Sequence, residues 1–450
     1  MGRKVKRRGT EATQERGNAT PQEVSDSRRR RISRRDAVRW GVVGATTTAG
    51  FGTLAYLSAR KAPAAAATEV FKQDAPDEAT WNRWKLRGWV HEAAHYRHLG
   101  RNVQCQVCPN ECLLEPGDRS HCRNKVALEG KLFTMAYANP AALHVDPIEK
   151  KPLFHFQPGT RAFSLATSGC SFRCLNCQNW EISQKKPEEL KAATGEELRL
   201  GSGYAGPLRA GDLERASVFP EDVVLLAQRS GSQSIAYTYS EPTSYYEYML
   251  ETAKRARTAG IKNVWVTNGY IKPEALEGLA KVLDAANVDL KSFSEKIYAE
   301  LNSGKLAPIL ATLQLLARRG VWFEITNLVV PRYSDDLAMI GKMCDWMVSK
   351  LGPDYPLHFS RFHPEYELER LPPTPVRTLV RAREIAKQAG LHYVYVGNVR
   401  GVQDAETTFC PGCGKPVVER SIYRVETLQV GPDGSCAHCG QRIAGVWSSS

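Results

Sequence analysis

Eleven of the twelve cysteines fall into three short clusters whose spacing is typical of metal ligands. The clusters are Cys105-x2-Cys108-x3-Cys112-x9-Cys122, Cys170-x3-Cys174-x2-Cys177, and Cys410-x2-Cys413 with Cys436-x2-Cys439. Close pairs of this kind favour metal ligation over a disulfide scaffold. The remaining cysteine, Cys344, is expected to be a buried residue of a helix.

The central cluster supplies three thiolates, one fewer than a four-iron cube can bind. One iron is therefore left to bind the amine and carboxylate of S-adenosylmethionine, and the cluster can pass one electron to the sulfonium. Cys170, Cys174 and Cys177 directly follow a predicted strand, at the edge where β/α barrels build their active sites. We predict a catalytic 4Fe–4S cluster here, with a three-cysteine zinc site as the alternative.

The two outer clusters each supply four thiolates, which can complete the coordination of a metal centre. Cys105, Cys108, Cys112 and Cys122 suit a structural zinc ion or an auxiliary iron–sulfur cluster that relays electrons, and the sequence leaves both open. The two C-x2-C pairs of the last cluster are about twenty residues apart, which is typical of a zinc ribbon. Structural zinc is the main expectation there, and rubredoxin-like iron or partner binding are the alternatives.

Strands and helices alternate between and beyond these clusters. The strand candidates are 161–167, 234–239, 263–267, 288–291, 321–330, 357–362 and 392–396, and the clearest helical patterns are 243–259, 306–318 and 376–389. This alternation predicts an α/β fold, a partial TIM-like (β/α) barrel with helices outside a parallel sheet. Residues 186–219 interrupt the rhythm and are expected to be an inserted loop.

The charge distribution separates a tail from the body of the protein. Of the formal net charge of +13, the first 61 residues hold 15 Lys and Arg against 5 Asp and Glu, and the others hold 46 against 43. A nearly neutral body argues against nucleic-acid binding. We expect a basic tail, an N-terminal helix with a four-cysteine module, the barrel, and a C-terminal zinc-ribbon-like module, at residues 1–67, 68–150, 151–404 and 405–450.

The tail has the order of features of an export signal. Ser33-Arg34-Arg35-Asp36 precedes a mildly apolar run that ends near Leu57, and small residues follow. The paired arginines resemble the twin-arginine signal, which exports folded proteins with their cofactors. We predict a cell-envelope location that depends on Arg34 and Arg35, with membrane contact through this segment only. A basic arm on a cytoplasmic protein is the alternative.

Three stretches resemble a known family. The stretch 170–180 resembles the ligand loop of radical S-adenosylmethionine enzymes related to pyruvate formate-lyase activating enzymes. The stretches 146–153 (DPIEKKPL) and 237–243 (YTYSEPT) more closely resemble the radical enzyme of the AmmeMemoRadiSam system. The resemblance covers roughly residues 85–445, and it departs at Asn176, where an aromatic residue usually stands beside the last ligand.

The resemblance also implies the contacts of the cofactor. The candidates are Glu241, Asn268, Asp289, Lys291 and His363. Glu241 would receive the methionine ammonium, Lys291 would balance the methionine carboxylate, and Asn268 would reach the ribose, although Val266 stands where an acidic residue is common. The resemblance further implies a low-potential electron donor as partner and an unidentified substrate, for which the activating enzymes offer a protein glycine as the example.

Two other functions compete with this interpretation. His91-Glu92-Ala93-Ala94-His95 is an H-E-x-x-H string in a pattern that we predict to be helical, so both histidines could bind zinc with Glu92 as general base of a metallohydrolase. A nucleic-acid-binding protein with a zinc ribbon and a basic tail is the second competitor. Only the radical enzyme requires a four-iron cluster, so iron and sulfide analysis separates the three.

Overall fold

An eight-stranded sheet lies at the centre of the chain in a computed structural model, which describes residues 68–190 and 217–447. The strands are β1 (His91–Glu92), β2 (Tyr96–Leu99), β3 (Asn102–Cys105), β4 (Leu113–Leu114), β5 (Lys125–Leu128), β6 (Lys131–Thr134), β7 (Ala142–Pro147), β8 (Arg161–Ala166), β9 (Ser234–Tyr237), β10 (Lys262–Thr267), β11 (Ala285–Asp289), β12 (Trp322–Val329), β13 (Leu357–Arg361), β14 (Val394–Gly397), β15 (Thr408–Phe409), β16 (Pro416–Ser421) and β17 (Arg424–Leu428).

The helices of the described residues lie mostly between the strands of this sheet. They are α1 (Glu78–Leu86), α2 (Trp180–Ser183), α3 (Pro220–Arg229), α4 (Tyr246–Thr258), α5 (Pro273–Ala280), α6 (Glu295–Ile297), α7 (Leu306–Arg318), α8 (Leu337–Lys350) and α9 (Val376–Gln388). Short 3-10 turns occupy Ile148–Lys150, Pro187–Glu189, Pro242–Tyr245 and Tyr366–Leu368, and a π turn occupies Tyr298–Asn302.

The sheet follows chain order from β7 to β14. Strands β8 to β14 are parallel to one another, and β7 is antiparallel to β8. Within the described residues β7 and β14 do not pair with each other, so the sheet stays open between these edges. The predicted fold class, a partial β/α barrel, is confirmed.

The amphipathic helices pack on a sheet that is buried on both faces. All four residues of β9 are buried, as parallel strands covered by helices should be. Helix α7 buries Leu306, Ile309, Leu313 and Leu316 along one side. Helix α8 is capped at its start by Asp336, whose carboxylate accepts a hydrogen bond from the Ala338 amide at 2.8 Å.

Two sequence predictions differ from the structure in this part of the fold. Strand β11 covers Ala285–Asp289 rather than 288–291, because the small residues at its start are fully buried between neighbouring strands. The segment before the first cysteine cluster is helical only over Glu78–Leu86 and then turns into two short strands. Trp81 and Trp84 still pack in one buried cluster, which includes Trp89.

Three small sheets flank the barrel. Two lie in the N-terminal region, with strand orders β1-β6-β5 and β2-β3-β4, and the third, β15-β16-β17, lies in the C-terminal region. Cys344 is fully buried in α8, as expected. No helix within residues 68–190 and 217–447 combines the length and hydropathy needed to cross a membrane.

Candidate functional site

The central cysteines lie on the loop that follows β8, at the carboxyl edge of the sheet. Each sulfur has a hydrogen-bond donor beside it. The Phe172 amide lies 3.3 Å from Sγ of Cys170, the Asn302 side-chain nitrogen 3.2 Å from Sγ of Cys174, and the Ser183 hydroxyl 3.1 Å from Sγ of Cys177. Such donors are typical partners of cluster-bound thiolates.

The surroundings of these thiols disfavour negative charge unless a cation is present. Burial raises the pKa of Cys174 to about 11, against the opposing charge of Lys291. Burial likewise raises the pKa of Cys170 well above its usual value, and the nearby Glu241 and Cys174 charges add to this. Metal ligation deprotonates a thiol, so three neighbouring half-buried thiols with sulfur-directed donors fit a bound iron–sulfur cluster.

One cavity of about 1170 Å³ joins this loop to the ends of the neighbouring strands. It is lined by Cys170 and Cys174 and by all five predicted cofactor contacts, Glu241, Asn268, Asp289, Lys291 and His363. Pockets for small molecules commonly measure about 300–1,000 Å³, so this cavity has room for a cofactor and part of a second molecule.

Glu241 is the most deeply enclosed of these residues. Its carboxylate accepts hydrogen bonds from the amide of Thr243 at 2.9 Å, the hydroxyl of Thr267 at 2.8 Å and the amide of Asn268 at 2.9 Å. Burial nevertheless raises the pKa of Glu241 above its usual value. The carboxylate thus connects the end of β9 to the end of β10 while it lines the cavity.

The other predicted contacts occupy different parts of the cavity wall. Asn268 donates a hydrogen bond to the hydroxyl of Ser171 at 3.0 Å, which connects the end of β10 to the cysteine loop. Lys291 pairs with Asp289 at 2.9 Å, so the two side chains share one face as strand alternation predicts. Burial alone would lower the pKa of Lys291. The negative charges of Asp289 and Cys174 outweigh this effect and hold the pKa above its usual value. His363 is exposed at the rim.

The residues around Asp146 were not predicted to line a cavity. The Asp146 carboxylate accepts hydrogen bonds from Lys150 at 2.8 Å, Lys151 at 2.6 Å, Ser164 at 2.7 Å and the hydroxyl of Tyr239. Burial lowers the pKa of Lys151 to about 8, against the attraction of Asp146. Lys150, Lys151 and Tyr239 line the same cavity as the predicted cofactor contacts, and the motif at 146–153 was the available signal.

The four N-terminal cysteines converge in the interior. Cys105, Cys112 and Cys122 are buried and Cys108 is half-buried. Burial raises the pKa of Cys108, and the charges of the other three thiols raise it further, because these thiols lie nearby. The amide of His121 lies 3.4 Å from Sγ of Cys112, and the Ser120 hydroxyl lies 3.1 Å from Sγ of Cys122.

The four C-terminal cysteines form a tighter group near the surface. Their sulfurs all lie within 4.8 Å of one another, and the Cys410–Cys439 and Cys413–Cys436 pairs are 3.7 and 3.9 Å apart. Tetrahedral coordination with bonds of about 2.3 Å places sulfurs about 3.8 Å apart, so this group fits a single zinc or iron ion.

The H-E-x-x-H prediction is wrong. His91 and Glu92 form strand β1, and the chain has turned before His95, so the two histidines do not share a helix face. Glu92 pairs with Lys131 at 2.7 Å and accepts a hydrogen bond from Tyr96 at 2.7 Å. His95 lies 3.3 Å from the Tyr246 hydroxyl. The geometric basis of the metallohydrolase alternative is therefore lost.

Two predictions fall partly or wholly outside the described residues. The export signal at Arg34 and Arg35 lies in the first 67 residues, and most of the expected inserted loop lies in residues 191–216.

The sequence of this chain is similar to those of known proteins. Residues 164–344 match the family model of the radical SAM superfamily. An uncharacterized protein of Methanocaldococcus jannaschii is 41% identical over 79% of this chain and 99% of its own length. The benzylsuccinate synthase activating enzyme of Thauera aromatica is 20% identical over 40% of this chain and 58% of its own length.

Two solved structures are also similar to parts of this chain. A domain of a pyruvate-formate lyase-activating enzyme from Bacteroides vulgatus is 16% identical, covers 37% of this chain and 99% of that domain, and has a TM-score of 0.33. A radical SAM methyltransferase from Sphaerobacter thermophilus is 15% identical, covers 53% of this chain and 67% of its own, and has a TM-score of 0.37. The family model matches the loop that carries the three central cysteines together with strands β9 to β12, and the Methanocaldococcus jannaschii relative extends over most of the chain; this protein belongs to the radical SAM superfamily.

Proposed function

We propose that the chain cleaves S-adenosylmethionine reductively at the loop of Cys170, Cys174 and Cys177 and abstracts hydrogen from a second molecule in the same cavity. The observation that carries this proposal is the single cavity that Cys170 and Cys174 share with Glu241 and Lys291. A bound 4Fe–4S cluster supplies the electron that splits the cofactor into methionine and a 5′-deoxyadenosyl radical.

The chain's own residues hold and orient the reactants. Lys291 is placed to neutralise the methionine carboxylate, and Glu241 presents an acceptor for the methionine ammonium. Asn268 positions the cysteine loop through Ser171 and faces the cavity, where it can reach the ribose. Asn302 and Ser183 direct hydrogen-bond donors at sulfurs and thereby stabilise thiolate charge.

The family within the superfamily is inferred from sequence motifs and from the residues that these motifs supply to the cavity. We propose that the chain is the radical enzyme of the AmmeMemoRadiSam system, supported by the stretches 146–153 and 237–243. The first of these stretches supplies Lys150 and Lys151 to the cavity wall, and the second supplies Tyr239 and Glu241. We also propose a protein substrate and a low-potential electron donor as partner. Both are supported by the resemblance of the stretch 170–180 to activating enzymes.

Two further assignments belong to the ends of the chain. We propose a structural zinc ribbon at Cys410, Cys413, Cys436 and Cys439, supported by the sulfur spacing of 3.7 and 3.9 Å. We also propose a cell-envelope location, supported by the sequence around Arg34 and Arg35 alone.

The central claim is tested with a variant in which Cys170, Cys174 and Cys177 are changed to Ala. After anaerobic reconstitution we expect the loss of about four irons per chain and of all 5′-deoxyadenosine formation, because no thiolate remains to hold the cluster. Iron content, Mössbauer spectra and product chromatography measure this. Continued cleavage of S-adenosylmethionine by the triple variant contradicts the proposal.

Lys291→Met serves as the matched control in the same cavity. It should keep the cluster iron and weaken S-adenosylmethionine binding by about ten- to a hundred-fold, the equivalent of about 1.5–3 kcal/mol for a charge-assisted contact. An unchanged affinity would remove Lys291 from the cofactor site without touching the role of the cysteines.

A further inference from the structure

The N-terminal cysteine module packs directly against the loop that carries the central cysteines. Asn110, between two N-terminal ligands, donates a hydrogen bond to the carbonyl of Ser171 at 2.8 Å. Asn124 donates to the carbonyl of Ser168 at 2.6 Å and accepts from its hydroxyl at 2.7 Å. The two cysteine sets are therefore held together by hydrogen bonds from asparagine side chains to backbone carbonyls on both sides of Cys170.

A glycine makes this approach possible. Gly169, the residue before Cys170, has a φ of +88°, and a Cβ on it would stand 2.4 Å from the carbonyl oxygen of Cys122. A side chain at this position would push apart one ligand from each set. Only glycine allows the backbone at Cys122 to touch the backbone beside Cys170.

A half-buried arginine spans the same gap. Arg173 lies between two central ligands in sequence, and its guanidinium donates to the carbonyl of Cys170 at 3.2 Å and of Phe172 at 3.0 Å. It also donates to the carbonyl of His121, the neighbour of the N-terminal ligand Cys122. A cation that is hydrogen-bonded to both ligand segments stabilises negative charge on either side of the contact.

The N-terminal thiols are less tightly grouped than the C-terminal thiols. In the described part of the chain, the C-terminal set brings its sulfurs within 4.8 Å of one another, and the N-terminal set does not meet that distance. A four-iron cluster binds each thiolate at a different corner of a cube, which separates the sulfurs further than tetrahedral zinc does. Buried thiols with donors directed at Cys112 and Cys122 are the surroundings that tune such a cluster.

We propose that Cys105, Cys108, Cys112 and Cys122 bind a second 4Fe–4S cluster that relays electrons to the central site across the contact made by Gly169 and Arg173. This inference rests on the proposed radical function. A low-potential one-electron donor loses one electron to the N-terminal cluster, which is reoxidised when it reduces the central cluster. The electron ends on the sulfonium of S-adenosylmethionine, whose carbon–sulfur bond breaks, and no proton moves.

The wild-type chain, anaerobically reconstituted, gives the first test. The relay requires about eight irons per chain in two cubane clusters, with zinc confined to the C-terminal set. X-ray absorption and Mössbauer spectroscopy count both metals. Because the sites are in contact, the reduced protein should give electron paramagnetic resonance signals broadened by coupling between the two clusters. Two zinc ions and about four irons per chain would overturn the proposal without any variant.

Variants then separate relay from scaffold. Cys105→Ser with Cys122→Ser should remove about four irons, abolish the broadening and slow viologen-driven reduction of the central cluster at least tenfold, while Cys410→Ser with Cys439→Ser should lose zinc alone. Arg173→Met should keep all irons but slow this reduction, and Arg173→Lys should restore part of the rate. An unchanged rate in the Cys105/Cys122 variant overturns the relay.

The same measurements distinguish failure of the electron relay from failure of the proposed radical function. If the wild-type chain cleaves S-adenosylmethionine while its N-terminal set holds zinc, the relay is wrong and the radical function stands. If both clusters are present and coupled but no cleavage occurs, the relay arrangement stands and the proposed function is wrong.

Discussion

The two four-cysteine sets use the same ligands in opposite surroundings. The N-terminal set is almost wholly buried and contacts the loop of the central cysteines, whereas the C-terminal set includes the exposed Cys439 and closes a small sheet of its own. The C-terminal sulfurs lie at the spacing of a single ion, and the N-terminal sulfurs do not. Ligand identity alone therefore does not decide the role of a metal site; the spacing and the neighbours do.

The two regions are also joined to the barrel by different chemistry. The N-terminal region is joined by a buried ion pair, in which Lys125 of β5 lies 2.6 Å from Glu247 of α4. The C-terminal region is joined through His155, which lies 2.6 Å from both the Ala444 carbonyl and the Tyr395 hydroxyl. An ion pair and a neutral imidazole respond differently to substitution and to acid, so each attachment can be tested separately.

The largest effect is expected from removal of the C-terminal metal. Cys436→Ser with Cys439→Ser should release zinc and unfold β15–β17, because structural zinc contributes on the order of 10 kcal/mol to the folding of small modules. Cluster iron and S-adenosylmethionine binding should persist, since the predicted cofactor contacts come from β9 to β13 and the loops after them. Hydrogen exchange of the 408–428 region and iron analysis measure this. Loss of the central iron in this variant would show that the C-terminal module is also needed to hold the central cluster.

Local sequence patterns predicted much of the fold. Helix α7 spans Leu306–Arg318 as predicted, because its apolar residues repeat at helical spacing and Gly320, with a φ of +68°, ends the last turn. The H-E-x-x-H string failed because spacing of i and i+4 in five residues also fits a strand followed by a turn. The pairing of β1 with β6, which brings Lys131 to Glu92, decided between them.

The sequence predicted the site only in part, because some of its contacts join residues that are far apart in the chain. Glu241 and Lys291 could be predicted from their positions after buried strands, because polar residues at such positions collect at one edge of a parallel sheet. Asn302 reaches Sγ of Cys174 from 128 positions away, and no local pattern records that contact. Contacts across the fold, such as that of Arg173 with His121, depend on how whole segments pack.

The second largest effect is expected at the N-terminal attachment. Lys125→Met leaves the Glu247 carboxylate, whose side chain is 3% exposed, without its cation, and breaking such a buried pair costs about 3–5 kcal/mol. Denaturant unfolding should show this loss. Lys125→Met combined with Glu247→Leu should recover most of it, because no unpaired charge remains. Equal destabilisation in the single and double variants would assign the effect to packing rather than charge.

The smallest effect is a pH response confined to the C-terminal attachment. Burial lowers the pKa of His155 to about 4, so the folded state stays neutral while the unfolded chain binds a proton below about pH 6.5. The contribution of neutral His155 to the free energy of unfolding is therefore fully present above pH 6.5. It falls by up to about 3 kcal/mol as the pH drops to 4. Although burial opposes it, Lys125 holds the pKa of Glu247 below its usual value, so the ion pair weakens only below about pH 4.5.

Hydrogen exchange, corrected for intrinsic rates, should thus show β15–β17 loosening between pH 6.5 and 4.5 while β5 and β6 stay protected. His155→Gln is the control: it cannot titrate in this range, so any slope that remains belongs to other groups, such as the thiolates and the neighbouring Glu324. The difference between wild type and variant isolates the imidazole. If β5 and β6 loosen in parallel with β15–β17, the two attachments share one cooperative unit and the contrast between them is lost.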